Sequence, residues 1–230
     1  MSKLEVIACS FEDAVAAERG GADRLEVISR YEAGGLTPPV EMVRQIAATV
    51  KIPLRIMLRE TEPFVINEAS EIERLCEAAR AFAEIGVEGL VLGFLKDGKT
   101  GKSIDHDLVA RILACAPHLK ATFHRAFEEL NDPFQAIEEL KRHRQIDRIL
   151  TSGGEDSWRG KVDRFAAWQC AAQPEVEILV GGGTDAEVIS LLKPVGIKEF
   201  HVGKAAREGQ RIDGMVQAEQ VSELSELIRA

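Results

Sequence analysis

Short runs of apolar and β-branched residues recur along the chain. Each gives way to a longer stretch in which apolar residues return every three or four positions. The short runs, at 4–8, 24–28, 54–58, 89–93, 119–124, 147–151, 176–180 and 198–202, have the length of strands. The longer ones, near 11–19, 39–49, 69–85, 105–116, 132–142, 158–172, 185–193 and 217–229, have the period of helices. Strict alternation predicts parallel pairing, because each return to the sheet needs a crossover helix. The punctuation agrees. Ser10 stands before Glu12 and Asp13 as an N-cap, Asp132-Pro133 opens a helix, and Gly20-Gly21 and Gly86 stop two others. Eight such units in 230 residues predict an α/β fold, a (β/α)₈ TIM barrel formed as a single domain over 1–230. An open doubly wound sheet shares the alternation, but eight units at this length favour closure.

In a closed barrel, one parity of each strand packs on the helices and must be apolar. Leu4, Val6, Ala8, Leu25, Val27, Leu54, Ile56, Leu58, Leu119, Ala121, Phe123, Ile178, Val180, Phe200 and Val202 form that set. The opposite parity carries Glu5, Glu26, Arg55, Arg59, Lys120, Thr122, His124, Arg148, Ser152, Glu177, Glu199 and His201. Branched apolar layers usually fill such interiors. Here acids and bases mix, and buried charges cost several kcal/mol each unless paired, so an ion network is expected inside. Residues early in their strands (Lys120, Arg148, Glu177, Glu199) read as structural. Those at the strand C-terminal ends read as functional, because barrel active sites form there.

Three of the latter are candidate catalytic residues. His124 ends the fifth predicted strand and suits proton transfer. Arg59 ends the third and can hold a carboxylate or phosphate, or pair with Glu26 or Glu5. Glu26 lies just below the mouth. Glycine-rich loops follow the last three strands at Thr151-Ser152-Gly153-Gly154, Gly181-Gly182-Gly183-Thr184-Asp185 and Val202-Gly203-Lys204. Their N–H groups predict an anion cradle at Ser152, Gly153, Gly182, Gly183, Gly203 and Lys204, with Arg125 beside it. Asp185 would oppose an anion unless it caps the following helix. No lysine at a catalytic strand end supports a Schiff base. Although His124, His201 and Glu26 are near enough in register to meet, no HxH or HExxH spacing marks a zinc site, so no metal ligand is assigned.

Composition narrows the partners. Hydrophobic residues make up 45 % and charged residues 29 %, enough apolar material for a sizeable core. The net charge of −9 disfavours nucleic acid and anionic membrane as partners, both of which are bound mainly through Lys and Arg. A small anionic molecule remains compatible, since a pocket can be locally positive. The first residues lack a signal-peptide apolar region, and no apolar run reaches the ~18 residues of a membrane span. Cys9, Cys76, Cys115 and Cys170 form no CxxC pair. A cytoplasmic protein is expected.

The segments Gly20-Gly21-Ala22-Asp23-Arg24-Leu25-Glu26, Gly34-Gly35-Leu36-Thr37-Pro38, Thr122-Phe123-His124-Arg125-Ala126-Phe127 and Leu150-Thr151-Ser152-Gly153-Gly154 carry a resemblance. In that order, and from about residue 4 to 205, the chain resembles the CutC copper-homeostasis family. The resemblance implies a cytoplasmic (β/α)₈ barrel, a homo-oligomer with a dimer as the simplest form, and a link to copper, with the molecular activity left open. Glu5, Glu26, Arg59, His124, Arg125, Thr151 and Ser152 stand at family-matching positions. Copper enters by this association only, and the cofactor is otherwise unassigned. Where copper-linked members carry Cys in the first two strands, this chain has Ile7 and Ile28, and Cu(I) prefers soft sulfur ligands. Cys9 and Met57 are the softer residues left nearby. The family's second Arg and acidic loop after the third strand are replaced by Glu60-Thr61-Glu62-Pro63. Two functions follow as expectations: copper binding or buffering, and an enzyme that uses Glu26 and His124 for proton transfer on a small anion, phosphorylated or not.

Overall fold

Eight parallel strands close on themselves in the ring order β1-β10-β9-β8-β7-β4-β3-β2. They are β1 (Lys3–Ala8), β2 (Arg24–Val27), β3 (Leu54–Met57), β4 (Gly89–Leu92), β7 (Lys120–Phe123), β8 (Ile146–Thr151), β9 (Glu177–Val180) and β10 (Glu199–Val202). The structure is a computed structural model that describes residues 2–98 and 101–230. A helix follows each barrel strand: α1 (Phe11–Arg19), α2 (Val40–Ala47), α3 (Ala69–Ile85), α4 (His106–Cys115), α5 (Pro133–Leu140), α6 (Val162–Ala172), α7 (Ala186–Leu192) and α8 (Ala218–Arg229). The expected (β/α)₈ barrel is present, and all sixteen elements fall within a few residues of their predicted places.

The caps form as their residue types require. Ser10 Oγ accepts from Asp13 N at 3.1 Å, and Asp132 accepts from Phe134 N and Gln135 N at 3.0 Å each. One element lay outside the pattern. An antiparallel hairpin, β5 (Leu95–Gly98) and β6 (Gly101–Ile104), rises from the end of β4. Only Leu95 and Ile104 are buried in it; Lys96, Asp97 and Gly98 are exposed, so it shows no half-buried alternation to read. Bridges Val65↔Leu95 and Lys102↔Leu130 tie it to the loops after β3 and β7.

Parity sorts the strand residues as expected. Leu4, Val6, Leu25, Ile56, Leu90, Phe123, Ile178 and Phe200 pack with the helices in one continuous core. Inside the barrel a ladder of charges replaces the usual apolar layers. Arg55 bridges Glu88 at 2.7 Å and Asp147 at 2.9 Å, and Asp147 pairs with Arg148 at 2.6 Å. Arg148 and Arg24 both hold Glu199, each at 2.6 Å. Arg24 also binds Glu5, whose other oxygen meets His201 Nδ1 at 2.7 Å. His201 Nε2 then faces Glu26 at 3.7 Å. Two expected members do not join. Lys120 is exposed at the floor, and Glu177 accepts instead from Gln169 of α6 at 2.7 Å. Lys120 reaches water and Glu177 reaches a helix amide, so neither needs a partner in the ladder.

Arg24 is the rung that parity reading passed over, although it shares the face of Glu26. Its guanidinium is essentially inaccessible and stands between two carboxylates. Removing one partner of a buried pair strands the others without solvent, at a cost of about 3–5 kcal/mol. Arg24→Met is therefore expected to lower the unfolding free energy by that amount, read as a lower urea midpoint at an unchanged m-value. Arg211→Ala, which removes an exposed pair with Asp213, should leave the midpoint where it was. Equal midpoints for the two variants would show that the ladder carries no stability.

Candidate functional site

The C-terminal ends of the strands enclose a cavity of about 540 Å³, the size of a small-metabolite pocket. Its lower wall is an apolar collar of Ile7, Ile28, Met57 and Val91, the residues one step above the ladder. Glu26 and His201 reach the cavity from below the collar. Arg59, Phe64, His124, Arg125, Tyr31 and the loop glycines surround it above. Glu26, Arg59 and His124, three residues from three strands, thus line one cavity, as the strand-end reasoning required.

Glu26 is the ladder's open end. Its Oε1 is buried and has no hydrogen-bond partner among the described residues. Burial pushes the carboxyl up to about 7; the nearby Glu5 charge adds to that, and His201 opposes it. Glu5 behaves in the opposite way. Burial would raise it, but Arg24 and the His201 hydrogen bond outweigh that and hold it well below the usual carboxylate range. Burial alone would lower His201, yet Glu26 and Glu5 raise it above an ordinary imidazole. Glu26 can therefore take up or release a proton near neutral pH, beside a His201 that favours its protonated form.

His124 is of another kind. Its ring is buried, its Nδ1 accepts the Ala126 N–H at 3.2 Å, and Phe64 packs on it with centroids 4.9 Å apart. Gly93 allows this placement, since a Cβ there would lie 2.5 Å from Nδ1. Burial, with Arg59 and Arg125 nearby, pulls its pKa down to about 3. His124 is therefore neutral at physiological pH. A ring held neutral in this way is a weak base, whatever its position at the strand end.

Arg59 pairs with neither Glu26 nor Glu5. Its guanidinium donates to the carbonyls of Thr61 (2.9 Å) and Glu62 and lies over the Phe64 ring at 4.7 Å. Among the described residues no carboxylate lies within ion-pair distance of it, so its charge stays available to the cavity. The Glu60–Pro63 departure from the family pattern is thus the loop that Arg59 holds in place. Arg125, by contrast, is bound through two nitrogens to Glu128, at 3.0 and 2.7 Å.

The expected glycine cradle forms only in part. Gly182, Gly183, Gly203 and Lys204 line the cavity, but Ser152 and Gly153 do not. The Ser152 N–H donates to Glu128 at 2.6 Å and the Gly153 N–H to Thr151 Oγ1 at 3.0 Å, so neither is free for an anion. Asp185 caps α7 through the Val188 N–H at 3.0 Å, which already fills that helix end. Gly203 serves close approach instead: a Cβ there would lie 1.8 Å from the Tyr31 hydroxyl. Cationic charge at the mouth therefore comes from Arg59 and Lys204 rather than from loop amides. Tyr31 and Glu128 sit in short 3₁₀ segments and Phe64 in an irregular loop, all too short for periodicity to mark which way a side chain turns.

Glu5, Glu26 and His201 have ligand atoms within 4.8 Å of one another, a grouping that could hold a cation. Such an oxygen-and-imidazole set suits zinc or manganese rather than Cu(I), and both Glu5 oxygens are already bonded. The sulfur ligands fit copper poorly. Met57 lines the cavity, whereas Cys9 Sγ accepts from Arg207 at 3.4 Å and burial pushes its thiol up to about 11.

The family model for the CutC family matches residues 2–206. The copper homeostasis protein cutC homolog of Homo sapiens is 35 % identical over 200 residues, covering 86 % of this chain and 71 % of that protein. The family protein CutC of Treponema denticola is 33 % identical, covering 89 % and 82 %. The crystal structure of CutC from Streptococcus agalactiae superposes with a TM-score of 0.80 at 25 % identity, over 92 % of this chain and 100 % of that one. Dihydrodipicolinate synthase from Bacillus anthracis shares the barrel alone, with a TM-score of 0.66 at 13 % identity, over 100 % of this chain and 75 % of that one. The family-model match over residues 2–206 and relatives at 33–35 % identity place this chain in the CutC family.

Proposed function

We propose that the barrel mouth is the active site of an enzyme that binds a small anionic metabolite and moves a proton through Glu26. The observation that carries this reading is the free, buried Oε1 of Glu26 at the base of an open cavity. A carboxyl that titrates near neutrality can both take and return a proton at working pH. His201, held by Glu5, is its proton partner. Arg59 and Lys204 supply charge for the anion, and the apolar collar keeps water from the carboxyl. Free thiols at all four cysteines fit a reducing, cytoplasmic setting.

The copper homeostasis named for the human relative finds no matching donor set here. With Ile7 and Ile28 in the collar and Cys9 engaged by Arg207, no cluster of soft ligands faces the cavity among the described residues. No catalytic step is drawn through copper. A Cu(I) titration of the reduced protein against a competing chelator should give affinity no greater than that of scattered surface thiols, and Cys9→Ala should not change it. A tight single site lost in Cys9→Ala would reverse that conclusion.

The pH dependence follows from Glu26. Its folded pKa is raised, so the native state prefers the protonated form and wild-type stability falls as pH rises from 4.5 through about 7. Glu26→Gln mimics the protonated carboxyl at every pH. It should gain on the wild type between pH 5 and pH 8 by up to about 3 kcal/mol in urea denaturation. A constant difference across that range would mean Glu26 is an ordinary ionised carboxylate. For the anion, millimolar glycerol 3-phosphate should raise Tm by about 2–4 °C. Arg59→Ala combined with Lys204→Ala should remove the shift, and an undiminished shift in that double variant would place the anion elsewhere.

A further inference from the structure

His124 and Glu26 approach the cavity from different sides, because β7 and β2 are three positions apart in the ring. A molecule filling the mouth spans both. His124 Nδ1 is taken by the Ala126 N–H, so the proton of the neutral ring lies on Nε2. No described residue bonds to Nε2. Phe64 and Phe123 flank the ring and the missing Gly93 Cβ leaves it room, so this N–H donor is fixed in place. It adds no charge of its own, and so is poorly suited to capturing a phosphate or carboxylate. It suits an oxygen that starts neutral and gains charge during reaction.

We propose that the substrate is an enolisable carbonyl compound bearing an anionic group, with its carbonyl oxygen on His124 Nε2–H and the adjacent C–H facing Glu26. This rests on the reading of the mouth as an active site with Glu26 as proton carrier. Glu26 takes the α-proton, the C–H electron pair becomes the C=C bond, and the carbonyl π pair moves onto oxygen, where His124 holds it. Return of the proton from Glu26 to the same carbon exchanges it; where that carbon bears a hydroxyl, the hydroxyl proton passes to the former carbonyl oxygen, the returning proton adds to the former carbonyl carbon, and an isomerisation is complete with no oxidant or reductant consumed. Arg59 and Lys204 hold the anionic end away from the reacting carbons.

Two measurements test this. Histidine ¹⁵N NMR of the wild-type protein between pH 5 and pH 8 should show His124 as the neutral Nε2–H form throughout. An imidazolium or an Nδ1–H form at pH 6.5 would overturn the assignment. Dihydroxyacetone phosphate and pyruvate, incubated with the protein in D₂O, should lose α-proton signal at least ~1,000-fold faster than without protein for one of the pair. That exchange should vanish in Glu26→Gln and fall by ~100-fold in His124→Ala, with part regained in His124→Gln, whose amide still donates. Glycerol 3-phosphate and lactate serve as counterparts without the carbonyl. If they stabilise the protein as well as the carbonyl compounds do and nothing exchanges, the carbonyl proposal fails while the anion site stands. If no member of either pair binds, both readings fall.

Discussion

Nine charged side chains locked inside a parallel barrel are the constraint around which this molecule is arranged. The ladder from Glu88 to Glu26 holds five carboxylates, three guanidiniums and one imidazole. Each inner rung is tolerable only because its neighbour is present; a lone ion at that depth would be expelled or neutralised. With His201 protonated, one negative charge remains without a partner. The arrangement relieves it by keeping a proton on Glu26, the last rung and the one with a free oxygen. The raised pKa of Glu26 comes first from its own burial, with the Glu5 charge adding to it and His201 and Arg24 opposing it.

That excess emerges where it is useful. The floor end of the ladder, at Glu88 and Asp147, is partly exposed, and solvent settles its charge there. The upper end meets the collar of Ile7, Ile28, Met57 and Val91, which solvates no ions. A buried carboxyl thus lies below an apolar ring, with cationic side chains that lack a carboxylate partner among the described residues above it. His124 belongs to neither. Its neutrality comes from burial beside two guanidiniums, and its orientation comes from one backbone N–H.

The ladder also bears on what the family resemblance can mean for this chain. Isoleucines occupy the collar where thiols would be needed, and the remaining nearby thiol is engaged by Arg207. The charged core and the mouth above it do not depend on those positions. A chain can therefore keep the ladder and the cavity chemistry while lacking soft metal ligands.

Local pattern alone determined a good deal. The periods of 2 and 3.6 are properties of neighbouring residues, so the eight strands, the eight helices, the parity of Glu5, Glu26, Arg55 and His201, and the strand-end position of His124 and Arg59 were all legible. Partner choice was not. Arg24 meets Glu199 across 175 residues because ring closure sets β1 between β2 and β10, and no local signal encodes that pairing. The same holds for the protonation states. An imidazole at a strand end reads as a proton carrier, and only packing against Phe64, Arg59 and the Ala126 N–H made His124 a neutral donor. The amides of Ser152 and Gly153 read as free until folding brought Glu128 and Thr151 onto them. Charge and hydrogen-bond state depend on desolvation and on groups distant in sequence, which exist only once the barrel has closed.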